Sequence, residues 1–260
     1  MPNCAPISLS TLHSLFMSDT LAPTLPAGAA RPVRGAVAVF DWLLAIAVVA
    51  MAAALARAIW FTPPEAFQGE AQKIFYIHVP AAVVGLYLAC PLVAIGGAMY
   101  LWLRDDRLDR LAESSAEIAL VFLSIVLVTG PLWAKPIWGA WWTWDARLTS
   151  TLFLWFILLG YTVLRGALED RQQRARYSAV LGILAALLVP FIHLSVRLFR
   201  TMHPQPIVLA PEKPKLSPEM GLTLSLAFIA FGLLFVAMLR GRLKYAALRD
   251  RVEALESGDA

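Results

Sequence analysis

The stretch Trp138-Gly139-Ala140-Trp141-Trp142-Thr143-Trp144-Asp145-Ala146-Arg147 lies between two apolar runs, residues 117–133 and 148–164, and this placement decides the architecture. With Trp133, the stretch holds five of the chain's nine tryptophans. Each indole carries about 150–250 Å² of surface to hide and an N–H that needs an acceptor. Several of them in water would form the kind of apolar patch that soluble surfaces avoid. The flanking runs approach the roughly 20 apolar residues that a membrane span requires, so the tryptophans sit where two spans meet the interface.

Composition agrees with this placement. At 59% hydrophobic and 15% charged residues, with a mean hydropathy of +0.67, the chain has too little polar surface to cover a soluble globule. Further runs at residues 37–61, 80–103, 177–198 and 220–239 bring the predicted spans to six. The fold class expected is therefore an all-α integral membrane protein with six transmembrane helices. Its divisions are a disordered tail over residues 1–35, a six-span domain over 36–240 and a C-terminal tail over 241–260.

Charge orients the bundle. If the first span runs outward, the inner segments hold Arg31, Arg34, Arg104, Arg107, Arg110, Arg165, Arg171, Arg174, Arg176, Arg240, Arg242, Lys244, Arg249 and Arg251, which is 14 of the 22 basic residues. The positive-inside rule then puts both termini in the cytoplasm. The net charge of +4 is this asymmetry and gives no reason to expect nucleic acid. Cys4 and Cys90 fall in the tail and in the second span, too far apart in this topology to pair. No Cys-x-x-Cys-His, Gly-rich phosphate loop, Ser-His-Asp pattern or zinc spacing occurs, so no catalytic constellation is visible and a non-enzymatic role is expected.

In this topology three links reach the outer side. The first carries Lys73-Ile74-Phe75-Tyr76-Ile77-His78-Val79-Pro80, with Pro80 suited to open the second span. The second is the tryptophan segment, residues 133–150. The third begins near His193, past Pro190, and runs through Arg197, Arg200 and His203 to about Pro218. If the tryptophan segment is helical, Trp138, Trp141, Trp142 and Asp145 share one amphipathic face, and Gly139 lets another group approach the backbone. His193, Arg197 and Arg200 have the same i, i+4, i+7 spacing. Isolated tryptophans such as Trp60 and Trp133 read as interface anchors, His203 as a loop residue, and His13 as incidental.

Haem meets these demands together: its macrocycle is a flat apolar plate, its iron takes axial histidines, and its propionates suit Arg or Lys. His78 and His193 are the expected axial pair. The platform is Trp138, Gly139, Trp141, Trp142, Trp144 and Asp145. Lys73, Arg147, Arg197 and Arg200 are candidate propionate partners, with Arg147 alternatively paired to Asp145 and the Arg197–Arg200 pair alternatively reaching lipid headgroups.

The run from Trp138 to Ser150, with Tyr76-Ile77-His78-Val79-Pro80-Ala81-Ala82 and Ile192-His193-Leu194-Ser195-Val196, resembles the signature of the WWD haem-handling superfamily and is similar to its haem exporter protein C family, active in cytochrome c maturation. The likeness extends over about residues 40–240, except for most of the loop from Thr201 to Pro218. It implies a multi-pass protein of the bacterial inner membrane that binds haem b non-covalently and transiently at its periplasmic face. The resemblance also implies delivery to a periplasmic haem chaperone, beside ABC transporter subunits and a small single-span membrane protein.

Three alternatives differ in what they require. A cytochrome c haem lyase or synthase of the same superfamily needs a longer chain with further histidines and spans. A redox cytochrome b needs histidines inside helices near the bilayer middle. A multi-span transporter of another hydrophobic substrate is the third; were it ion-coupled, ionisable groups would mark its path, and the spans here contain almost none away from their ends.

Overall fold

The computed structural model describes residues 41–204 and 216–257. The expected N-terminal tail and residues 205–215 of the third outer link lie outside the described residues. The described chain forms six helices long and apolar enough to cross a membrane: α1 Trp42–Phe61, α2 Glu70–Leu103, α3 Asp106–Trp138, α4 Ala146–Ala167, α5 Arg171–Leu198 and α6 Pro218–Glu256, the last continuing in the same helix to Ser257. The protein is an all-α, six-span membrane protein.

Aspartates set four of the starts. Asp41, Asp105, Asp145 and Asp170 each accept hydrogen bonds from the first-turn amides of α1, α3, α4 and α5, which the free N–H groups of a helix start require. Proline shapes the interiors. Pro80 sits within α2 just before a π-helical stretch at Val84–Ala89, Pro131 and Pro136 lie within α3, and Pro190 lies within α5. Each removes a backbone donor from its ladder.

Small residues bring the central helices close. The segment Cys90–Leu103 of α2 packs on both α5 and α3, α4 packs on α5, and α1 packs on α6. A Cβ at Gly182 would come within 2.6 Å of Val93, so glycine there is what lets α5 meet α2. Phe122, Leu123, Leu154, Leu158, Tyr161 and Ile192 fill the centre.

Three boundaries differ from the expected ones. The second span begins at Glu70 rather than Pro80, because Phe75 and Tyr76 are buried against Ala58, Leu224 and Ala227 and carry the helix outward from the apolar run. His78 therefore stands inside a helix, not in a link. The third span begins at Asp106, eleven residues before Glu117, and the last helix runs on through residues 241–257 instead of ending as a separate tail.

Both extensions have one cause. Arg165 of α4 donates to both carboxylate oxygens of Asp109 at 2.7 and 2.9 Å and lies 3.1 Å from Glu113. Arg249 of α6 reaches Glu113 at 2.6 and 2.9 Å, while Asp250 takes Arg110 at 2.9 Å and Arg171 at 2.8 Å. This buried network ties α3, α4, α5 and α6 at the end that the charge distribution assigns to the cytoplasm. Its charges are paired, as burial demands.

Candidate functional site

At the opposite end, α2, α3, α4, the tryptophan segment and the loop after α5 enclose a cavity of about 200 Å³. Its walls include His78, Ala82 and Leu86 from α2, Val126, Leu127, Gly130, Trp133 and Trp138 from α3, Trp141 and Trp142 from the segment, Arg147, Leu148 and Thr151 from α4, and Met202, His203 and Pro204. Apolar walls with a few convergent polar groups are the make-up of a ligand site.

His78 is only 9% exposed. Its ring packs edge-to-face with Trp133 at 5.8 Å, and its Nδ1 lies 2.9 Å from Thr129 Oγ1. Trp133 itself donates to Gln68 Oε1 at 3.0 Å and lines the cavity. It is thus a wall of the site, and its reading as an interface anchor is corrected. Trp60, by contrast, is largely exposed.

Residues 139–145 of the tryptophan segment are not helical, and Trp138 is the last residue of α3. Gly139 adopts φ +76°, a left-handed conformation that side chains resist, and closes α3 with its N–H on the Lys135 carbonyl. Lys135 Nζ in turn donates to the Gly139 carbonyl. Nothing approaches where a Gly139 Cβ would stand, so this glycine serves the turn rather than a close contact. Asp145 is also structural, since it accepts from the Arg147 and Leu148 amides and from the Thr143 hydroxyl, all at 3.0 Å, as the cap of α4. Trp138, Trp141 and Trp142 still reach the cavity by way of this turn and cap. Trp144 is 78% exposed, meets Trp142 edge-on at 5.8 Å and is not a wall of the cavity.

The cations divide as well. Arg147 lies in the cavity wall, and its Nη1 is buried with no hydrogen-bond partner among the described residues, as is Trp142 Nε1. Two unmet buried donors on residues that wall an apolar cavity are a place for anionic oxygens. Lys73 has other partners, the Ile59 carbonyl and the Glu70 carboxylate, each at 2.7 Å. Arg197 and Arg200 are exposed and stand outside the cavity.

The histidines are arranged differently from the expected pair. His193 is within α5, where its Nδ1 lies 2.8 Å from the Tyr87 hydroxyl, and it is not a wall of the cavity. His203, read as a loop residue from sequence, is a wall, edge-on to Trp138 at 6.5 Å. Its Nδ1 donates to the Pro204 carbonyl at 2.8 Å, which leaves Nε2 as the free nitrogen. Burial, reinforced by the Arg147 charge, pushes its pKa down to about 4 and keeps the ring neutral. Among the described residues, His78 and His203 are the two imidazoles that the fold brings to one cavity.

A family model described as "Heme exporter protein C" matches residues 26–257. The chain is similar to the heme exporter protein C of Bradyrhizobium diazoefficiens, 34% identical over 218 residues that cover 84% of this chain and 82% of the relative. It is also similar to that of Escherichia coli, 37% identical over 165 residues covering 62% and 66% of the two chains, and to that of Rhodobacter capsulatus, 32% identical over 218 residues covering 83% and 89%.

Proposed function

This chain belongs to the heme exporter protein C family, and from that premise we propose that it binds haem b in the cavity beneath the tryptophan segment and delivers it outside the membrane for c-type cytochrome assembly. The chain is a multi-pass protein of the inner membrane. The observation that carries the reading is the convergence of His78, His203 and the unmet Arg147 Nη1 on one apolar cavity walled by tryptophans.

The residues fit the cargo. Neutral imidazoles from α2 and from the loop after α5 supply nitrogens to the iron, and Trp133, Trp138, Trp141 and Trp142 offer indole faces and edges to the macrocycle. Arg147 and the Trp142 N–H take propionate oxygens. His193, held by Tyr87, serves the packing of α5 on α2 in this reading. A cavity of about 200 Å³ falls below the roughly 300–1,000 Å³ of sites that enclose a ligand. Part of the haem therefore stays outside, beside the exposed Trp141.

An exposed edge is what delivery needs. The protein holds the cargo by coordination and packing, and a periplasmic haem chaperone takes it from the open side. The protein works beside ABC transporter subunits and a small single-span protein, with no catalytic step of its own. Co-purification with the chaperone tests this: the complex is expected to form when the protein carries haem and to be weakened at least tenfold with haem-free protein. Equal complex formation with and without haem would contradict the delivery mechanism.

A further inference from the structure

The Thr129 hydroxyl has one proton and two close partners. Its Oγ1 lies 2.7 Å from the Ile125 carbonyl, one turn earlier in α3, and 2.9 Å from His78 Nδ1. A carbonyl only accepts, so the short contact to Ile125 uses the hydroxyl proton. With that proton committed, the contact to His78 needs its proton from the ring. Nδ1 of His78 is therefore the N–H, and a neutral ring then has a bare lone pair on Nε2.

The same helix fixes where the ring lies. A Cβ at Gly130 would stand 3.4 Å from His78 Cε1, an ordinary contact distance that shows the imidazole resting against α3, while Trp133 packs edge-on with it. Thr129 and Gly130 thus border the Nδ1–Cε1 edge of the ring, and His78 is a wall of the cavity. We propose that Thr129 is a positioning residue, which holds His78 in the Nδ1–H tautomer and presents Nε2 to the cavity. Its consequence for haem rests on the reading of the cavity given above. Outer hydrogen-bond partners of this kind orient a metal-bound histidine and raise its basicity, and their loss weakens metal binding by about 10- to 100-fold.

The test uses the full-length protein in lipid bilayers. Nitrogen NMR of the haem-free, ¹⁵N-histidine-labelled protein, with His78 assigned by comparison with His78→Ala, is expected to show His78 protonated at Nδ1. Thr129→Val keeps the side-chain shape and removes the acceptor. It should abolish the single tautomer and weaken hemin binding by about 10- to 100-fold, whereas Thr129→Ser should restore both. An Nε2–H ring in the unsubstituted protein overturns the proposal without any variant, and so does Thr129→Val with unchanged tautomer and hemin affinity. Equal hemin binding by the unsubstituted protein and His78→Ala would instead overturn the haem reading, while the tautomer measurement stands by itself.

Discussion

Replacing Arg147 by methionine should weaken haem binding while leaving the stability of the haem-free protein nearly unchanged. In the haem-free protein Arg147 Nη1 is a buried donor with no partner among the described residues, and such a group costs about 1–3 kcal/mol. Methionine keeps much of the stem's volume and removes that cost. Asp145 keeps its three hydrogen bonds to Thr143, Arg147 N and Leu148 N, because two come from backbone and one from a neighbour. The substitution also removes the guanidinium's hydrogen bond to the Tyr87 hydroxyl, so the two changes offset and haem-free stability should stay within about 1 kcal/mol. Haem loses one charge-assisted hydrogen bond, about 1.5–3 kcal/mol, so its dissociation constant should rise about 10- to 150-fold. Hemin titration followed in the Soret band, beside thermal unfolding of the haem-free protein in the same bilayer discs, measures both. A variant that loses more than about 1 kcal/mol of haem-free stability and binds hemin normally would make Arg147 a structural residue and refute the reasoning.

Removing Arg165 as Arg165→Met strands Asp109 and leaves Glu113 with Arg249 alone; denaturation should show a loss of about 3–5 kcal/mol, partly restored by adding Asp109→Asn, and a loss below about 1 kcal/mol would refute the anchoring role. His203 has a folded pKa of about 4 against an ordinary value near 6.5, so the folded protein binds fewer protons in between. Its contribution to loop docking is complete above about pH 6.5 and is lost as pH falls toward 4. Tryptophan fluorescence of the haem-free protein should follow that loss through Trp138, and His203→Gln should flatten it; identical profiles would contradict the assignment. Trp133→Leu should reduce haem retention on purification while Trp144→Leu leaves it unchanged, and the reverse order would return Trp133 to an anchoring role.

Much of the architecture was legible because lipid imposes a coarse pattern. Six long apolar runs name six helices whatever their packing. Their ends were harder, since α3 and α6 are extended by pairings between residues as distant as Arg165 and Asp109 or Arg249 and Glu113, which no local window contains. At the site, the tryptophan cluster and His78 stood out by density and by motif. The other histidine did not. The i, i+4, i+7 spacing of His193, Arg197 and Arg200 misled because α5 ends at Leu198, before Arg200, leaves Arg197 exposed and sets His193 against Tyr87. The signal that could have found His203 was its own X-His-Pro context after a helix end, where the chain turns back. Helical reading of the tryptophan segment failed for a local reason: Gly139 followed by a capping Asp145 is a helix stop and a helix start, and the two together leave no room for a helix between them.

The measurement that bears most directly on the proposed site is the absorption and magnetic spectrum of haem bound to the purified protein and to three single variants. A low-spin bis-histidine signature is expected in the unsubstituted protein, lost in His78→Ala and in His203→Ala and retained in His193→Ala. Loss of the signature in His193→Ala together with its survival in His203→Ala would contradict the assignment of His78 and His203 as the iron's two imidazoles.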